Sequence, residues 1–313
     1  MATLWDPAER HGHLGPLPGQ RLVLVTGAAR GLGVGICKQV LQQADAELIV
    51  AARSLPKAQE LADELGPRCR ALQCDVSDEA SCRLVAETVA KIRGSRALSV
   101  VHNAGVAYDL PWFPAPWPVE AARVTLGTNL FGAMRLTEAL LPELLDERAH
   151  GRLVFVSSGA GAANLSKMAE ERRCALTTIE DVKALKDFCE AFIQAYEASA
   201  KEQAEVPLPK LQEGFWLQSN GFSKACLNRY CQMMALQHPT LCCVACSPGF
   251  VETEMVKTYR GDSKLKSVEE GGDVCAWLAL SPDAGPSGVK TPPSEGEGQP
   301  DNHEKNEGLA AAS

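Results

Sequence analysis

The 313-residue chain lacks several features that would each assign a class at once. No apolar run approaches 18 residues and mean hydropathy is −0.11, which argues against a transmembrane helix. There is no positive excess: 31 Lys and Arg stand against 39 Asp and Glu, a formal charge of −8. Nucleic-acid binding needs a basic patch, so no nucleic-acid partner is expected. Residues 1–20 show no basic-then-apolar secretory pattern and read as a polar, Gly/Pro-rich mobile extension. Ala311-Ala312-Ser313 matches no peroxisomal or ER-retention signal. A cytoplasmic protein with no membrane partner is the expectation.

Twelve cysteines are present, but only Cys243-Val244-Ala245-Cys246 has a suggestive spacing. A redox or zinc site needs both sulfurs to converge. Leu241 to Cys246 reads as a buried strand, on which positions three apart face opposite ways. Small buried hydrophobes are therefore the favoured reading, and free thiols suit a reducing compartment. No metal site is expected.

Short apolar strands alternate with helical patterns. Strands are expected at 21–26, 47–52, 69–74, 97–102, 152–157 and 241–246. Helices are expected at 32–44, 56–65, 78–93, 119–147 (bent near Gly127), 219–237 and 268–280, with Ser77 or Asp78 capping the third. This alternation predicts βαβ units, hence an α/β fold: a Rossmann-like, doubly wound parallel sheet with helices on both faces. Two segments break the rhythm. Residues 159–217 hold no obvious strand and read as a helical insertion, helix-prone over 177–204. Residues 281–313 contain no aromatic residue and are rich in Pro, Gly, Glu and Ser, which predicts disorder for most of them. The expected organisation is an extension at 1–20, one dinucleotide-binding domain at 21–285 and a disordered tail at 286–313.

Thr26-Gly27-Ala28-Ala29-Arg30-Gly31-Leu32-Gly33 lies between the first strand and first helix. Glycines there permit a tight turn and close approach to a pyrophosphate, and the helix start offers free N–H groups. A dinucleotide-binding acid belongs about 20 residues past the glycines, where it would hold a ribose 2′-OH. Arg53 stands there instead, and Arg30 adds a second cation. Two guanidinium groups suit a 2′-phosphate, so NADP(H) is favoured over NAD(H). The alternative is that both are solvated surface arginines.

The spacing T-G-x-x-x-G-x-G resembles the short-chain dehydrogenase/reductase family, and further motifs match in order over roughly residues 21 to 280. Cys74-Asp75-Val76 stands where the family sets an Asp against adenine. His102-Asn103-Ala104-Gly105 is similar to N-N-A-G, with His in the first place. Thr128-Asn129-Leu130-Phe131-Gly132 supplies the family's active-site Asn as Asn129. Ser157-Ser158 matches the catalytic Ser, assigned to Ser158. Pro248-Gly249-Phe250-Val251-Glu252-Thr253 matches P-G-x-x-x-T, whose Thr holds the nicotinamide carboxamide. The resemblance thus implies cofactor contacts from Gly27, Arg30, Gly31, Leu32, Gly33, Arg53, Asp75, Val76, Asn103, Ala104, Gly105, Lys224, Pro248, Gly249, Val251 and Thr253.

The family's proton donor is a Tyr four residues before a Lys, on one helical face. Here Lys224 is the Lys and Asn220 occupies the Tyr position, between matching neighbours Gly221 and Ser223. A phenol beside an ammonium can serve as an acid near neutral pH; a carboxamide only donates a hydrogen bond. Loss of a general acid costs on the order of 10²–10⁴ in rate. Tyr230 lies ten residues along the same helix, roughly 15 Å away, and Tyr196 lies in the insertion.

An insertion between the Ser and the Tyr position, ending in Glu213-Gly214-Phe215, resembles the monomeric carbonyl reductases. In those it covers a helix face that other members use to assemble, which implies a monomer, and it borders the substrate pocket. Phe215, Trp216 and the loop from Trp112 to Trp117 either wall an apolar pocket or pack in the core. Gly288-Val289 is all that remains where a last strand belongs, so a six-stranded sheet is expected. The resemblance implies NADPH-dependent reduction of a small-molecule ketone, aldehyde or quinone, impaired or altered by Asn220. A cofactor-binding pseudoenzyme with a binding or regulatory role is the alternative, and a sequence error at residue 220 is a third.

Overall fold

The computed structural model describes residues 21–43, 45–113, 117–147, 150–202, 210–281 and 288–290. The extension at 1–20, residues 114–116 of the aromatic loop and most of the expected tail lie outside them. Strands β1 (Arg21–Thr26), β2 (Ala46–Ala52), β3 (Cys69–Gln73), β4 (Ala97–His102) and β5 (Arg152–Val156) form one sheet with β8 (Cys242–Cys246) and β9 (Gly288–Lys290). The order is β3-β2-β1-β4-β5-β8-β9, every pairing parallel. β1, β4 and β5 are buried throughout, which explains their mostly apolar sequences.

Helices α1 (Leu32–Leu41), α2 (Leu55–Leu65) and α10 (Val268–Leu280) cover one face. The other face carries α3 (Glu79–Arg93), α4 (Ala121–Asn129), α5 (Phe131–Leu144) and α9 (Ser219–Gln237). Caps fix several starts. Asp78 accepts the Ser81 N–H at 2.8 Å, and Ser267 with Glu270 forms a reciprocal capping box on α10. α1 and α10 meet backbone to backbone: a Cβ on Gly35 would fall 1.8 Å from the Val268 carbonyl oxygen. Cys243 and Cys246 belong to the cores on opposite faces, as the strand periodicity required, and all twelve cysteines are free thiols.

Three expectations need correction. The helix expected over 119–147 is two helices, divided at Leu130 (φ −110°, ψ −63°) rather than bent at Gly127. The Asn129 amide reaches off the helix to Val106 and Ser223 at that point, and this tertiary pull decides where the turn breaks. The insertion is helical in α6 (Gly159–Lys167), α7 (Glu170–Thr178) and α8 (Val182–Glu202), but it also holds a hairpin. Its strands, β6 (Leu211–Gln212) and β7 (Phe215–Trp216), are joined by Glu213 (φ +50°) and Gly214 (φ +79°). Two consecutive positive φ values make the tight hairpin turn, and strands of two residues leave no periodic pattern. The sheet has seven strands, not six, and the seventh lies in the segment expected to be a disordered tail. Its backbone pairs with the open edge of β8 from Val244 to Cys246, which requires no apolar side-chain pattern.

The insertion is fastened to α9 by stacked rings. Phe192 lies face to face with Phe222 at 3.6 Å between centroids, and Phe215 meets Phe188, Phe192 and Phe222 edge-on. Phe215 is fully buried there, so it is a core residue rather than an exposed pocket wall. Among the described residues no helix is long and apolar enough to cross a membrane.

Candidate active site

In this strand order the chain direction of winding reverses between β1 and β4. A crevice opens there at the carboxyl ends of the strands. The glycine turn occupies it. Gly27 adopts φ +61°, and a Cβ there would fall 2.9 Å from Ala104 Cα, so residue 27 must lack a side chain. The Ala28 N–H bonds to Ala51 O at 3.1 Å, joining the turn to β2.

Thr26 and Asn103 lace the two sides together. Thr26 Oγ1 accepts the N–H groups of Asn103 and Ala104 at 3.1 and 3.0 Å. Asn103 Nδ2 donates to the carbonyls of Thr26 and Gly27 at 2.9 and 3.1 Å. Asn103 therefore shapes the turn. Gly105 lies beside the Asn129 amide, and Gly31 beside the Thr253 methyl group. Leu32 opens α1, and both Leu32 and Val251 pack on Gly271 of α10. Pro248 is buried, while Gly249 turns the chain at φ +87° after β8. The two ends of the expected cofactor cleft are thus together.

Arg30 and Arg53 are both exposed, on the glycine turn and just past β2. Asp75 follows β3. Although burial opposes it, hydrogen bonds from Ser77 and the charges of Arg53 and Arg135 hold its carboxyl below the usual range. Val76 packs against Gly132, and its carbonyl accepts from Arg135. Arg135 was not singled out in the sequence; nothing in the helical pattern of α5 distinguishes it.

Ser158, at the end of β5, caps α6: its Oγ accepts the Ala160 N–H at 3.2 Å and keeps its own proton to donate. Neighbouring Ser157 turns to the Lys224 carbonyl at 3.5 Å. Lys224 Nζ donates to Val156 O at 2.6 Å, and burial pulls its ammonium down to about 8. Asn220, one helical turn earlier, is 8% exposed at the start of α9. Lys224 thus reaches from α9 to the carbonyl two residues before Ser158, and Asn220 lies one turn before it on the same helix. Asn129 joins them differently. Its Nδ2 donates to Val106 O and Ser223 Oγ, both at 3.0 Å, and its Oδ1 accepts the Val106 N–H at 2.8 Å. Both amide protons are spent on protein, so this side chain braces the helix break.

His102, first of the H-N-A-G run, is a core residue. It stacks on Phe155 at 4.9 Å, its Nε2 meets Thr137 Oγ1 at 2.9 Å, and burial lowers it to about 3. Trp112 bridges the loops after β4 and β8. Its indole donates to Met255 O at 2.8 Å and meets Phe250 and Tyr259 edge-on. Trp216 lies under the Lys167 ammonium at 4.7 Å. Trp117 donates to Phe113 O at 3.3 Å.

A glycine turn that excludes side chains, a helix start behind it and two arginines at its rim fit a phosphorylated dinucleotide. Comparisons with known proteins place the chain among relatives of one family. The short chain dehydrogenase family profile matches residues 21–170. Carbonyl reductase (NADPH) 3 of Mus musculus is 30% identical over 278 residues, spanning 84% of this chain and 91% of that protein. The (−)-isopiperitenone reductase of Mentha piperita is 29% identical, spanning 87% and 96%. The solved structure of salutaridine reductase from Papaver somniferum superposes with a TM-score of 0.71 at 25% identity, covering 87% of this chain and 99% of that one.

Proposed function

Because the chain belongs to the short-chain dehydrogenase/reductase family of oxidoreductases, we propose that it is an NADPH-dependent carbonyl reductase whose proton delivery is altered by Asn220. Its substrate would be a small ketone, aldehyde or quinone. The observation that carries this reading is the reach of Lys224 Nζ to the Val156 carbonyl, two residues before Ser158, with Asn220 one turn earlier on the same helix.

The glycine turn at 27–33, Asp75, Asn103, Lys224 and the 248–253 loop would hold the dinucleotide, with Arg30 and Arg53 on its 2′-phosphate. The reduced nicotinamide supplies hydride to the carbonyl carbon. Ser158 donates its free O–H proton to the carbonyl oxygen and polarises it. The Asn220 amide adds a second hydrogen bond but no acidic proton. Lys224 has two ammonium protons beyond the one on Val156 O, and these can turn to ribose hydroxyls. Trp112 and Phe250 would line the apolar side of the opening. Location in the cytoplasm and a monomeric state, with the insertion packed on α9, complete the proposal.

The test is turnover of a reactive quinone or 1,2-dicarbonyl with NADPH by wild type and Asn220→Tyr, with NADPH and NADH titrations as controls. Activity in the Tyr variant is expected to exceed wild type by on the order of 10²–10⁴. No turnover by either protein refutes the reading. Tighter binding of NADH than NADPH refutes the cofactor assignment, and an unchanged NADPH/NADH preference in Arg30→Ala/Arg53→Ala refutes the arginines' part. The second reading, a cofactor-binding pseudoenzyme, is favoured by the commitment of both Asn129 amide protons to Val106 and Ser223. NADPH binding with no wild-type turnover, alongside turnover by Asn220→Tyr, would establish it.

A further inference from the structure

Directly behind Asn220 lies a buried carboxyl that the family pattern does not include. Asp109, in the loop after β4, is 0% exposed. Its Oδ2 accepts the Ser219 N–H at 2.5 Å, and the Asn220 N–H faces the same carboxyl. Its Oδ1 makes no hydrogen bond. Tyr196 of α8 and the Ser219 hydroxyl both face this carboxyl, and their oxygens are equally buried and without partners. Three unpartnered polar oxygens therefore meet at the first turn of the helix that carries Asn220 and Lys224. Unmet buried polar groups are costly, and such a cluster needs a reason.

The two hydroxyls can donate to Oδ1, but an ionised Asp109 would be a fully buried charge with no ion pair among the described residues, and a proton on Oδ1 removes that charge. Neutral Asp109 could donate from Oδ1 to a neighbouring hydroxyl while Oδ2 still accepts from Ser219. Burial favours this form, pushing the carboxyl above its ordinary range although the N–H groups of Ser219 and Asn220 and the nearby hydroxyls of Ser219 and Tyr196 pull it down. The groups acting on it are Tyr196 from α8 and Ser219 and Asn220 from α9; no Lys, Arg or second carboxylate is among them. Tyr196 is itself pushed up by burial and by Asp109, so it stays a phenol.

Building on the proposed reductase activity, we propose that Asp109 stores the proton that residue 220 cannot supply and releases it, by way of the Ser219 hydroxyl and a cleft water, to the substrate oxygen. As reduced nicotinamide dinucleotide gives hydride to the carbonyl carbon, the O–H bond forms on the substrate and the Oδ1–H bond breaks. The resulting carboxylate is held by the N–H groups of Ser219 and Asn220 until solvent returns a proton. Asp109 does not touch substrate; it is a positioning and proton-storing residue, and its mark is a pH dependence that a mere helix cap would not have.

The experiment compares wild type, Asp109→Asn, Tyr196→Phe and Asp109→Asn/Asn220→Tyr, using a 1,2-dicarbonyl and NADPH from about pH 5 to about pH 9. Wild-type kcat is expected to fall as rising pH ionises Asp109. Asp109→Asn should lose that limb and on the order of 10²-fold in kcat, with NADPH affinity unchanged, and Asn220→Tyr should restore the rate. Tyr196→Phe should shift the limb. Infrared spectroscopy of the wild-type protein alone should show a protonated carboxyl at neutral pH, absent from Asp109→Asn. If Asp109→Asn does not fold, the infrared band (by isotope-labelled Asp) and the Tyr196→Phe profile decide. An ionised Asp109 at neutral pH, or turnover with a profile that neither variant changes, overturns this inference alone. No turnover by wild type and Asn220→Tyr overturns it together with the proposed function.

Discussion

Truncating Phe222 to Ala tests whether the insertion is clamped to α9 by its rings. Phe222 is fully buried, faces Phe192 at 3.6 Å, stacks near Phe188 at 5.8 Å and receives the edge of Phe215 at 5.7 Å. A buried Phe hides roughly 150–250 Å², which at ~25 cal/mol per Å² corresponds to about 4–6 kcal/mol. Alanine keeps the β-carbon and the neighbours relax in part, so the expected loss is about 3–5 kcal/mol. At roughly 2–4 °C per kcal/mol for a domain near this size, Tm should fall by about 6–20 °C. The assay is equilibrium urea unfolding with parallel calorimetry. Adding Phe192→Ala should give a coupling of about 0.5–1.5 kcal/mol in a double-mutant cycle, since each variant already removes the stack. A loss under about 1 kcal/mol for Phe222→Ala would show that the rings touch without fastening anything.

Acid should weaken the fold through His102. It is neutral in the folded state down to about 3 but titrates near 6.5 when unfolded. Stability is therefore full above pH ~6.5 and declines between there and pH ~3, by on the order of a few kcal/mol. Urea unfolding of wild type and His102→Asn at pH ~5 and ~7.5 checks this; equal pH slopes would contradict it. Lys224 gives the opposite trend in binding. Its ammonium deprotonates near 8, so NADPH affinity should fall as pH rises through that value, and binding there should take up protons. A dissociation constant unchanged up to pH ~10 would remove Lys224 from the cofactor's grip. Gly35→Ala should destabilise by at least about 1–3 kcal/mol, because its methyl group would strike the Val268 carbonyl backbone. Normal Tm in that variant would disprove the close approach of α1 and α10.

The strands of the sheet were legible because local chemistry and burial coincide there. Arg21–Thr26 and Ala97–His102 are mostly apolar and enclosed on both faces, so one pattern dictates one outcome. The glycine turn was legible because Gly27 has no alternative at its backbone angle. What escaped was decided across the chain. Leu130 breaks a helix because Asn129 finds Val106 and Ser223, partners 23 and 94 residues away. Gly288–Lys290 becomes a strand because β8 offers an edge, not because its side chains demand one. Asp109 is a single acid in an apolar stretch, and only folding sets it against Ser219, 110 residues on. At the cleft, motif spacing places Asn220 and Lys224 on one helix, but no local signal tells what stands behind them.

The meeting of Gly35 with the Val268 carbonyl and of Gly272 with the Gly35 backbone has a consequence for how the protein is made. The two helices are 268 − 41 = 227 residues apart in the chain. At ~5–20 residues per second, α1 leaves the ribosome on the order of 10–50 s before α10 exists to cover it. For that interval α1 presents a glycine-floored groove to whatever is nearby. Nascent chains halted short of residue 268 should therefore lean on chaperones, while chains that have released α10 should not.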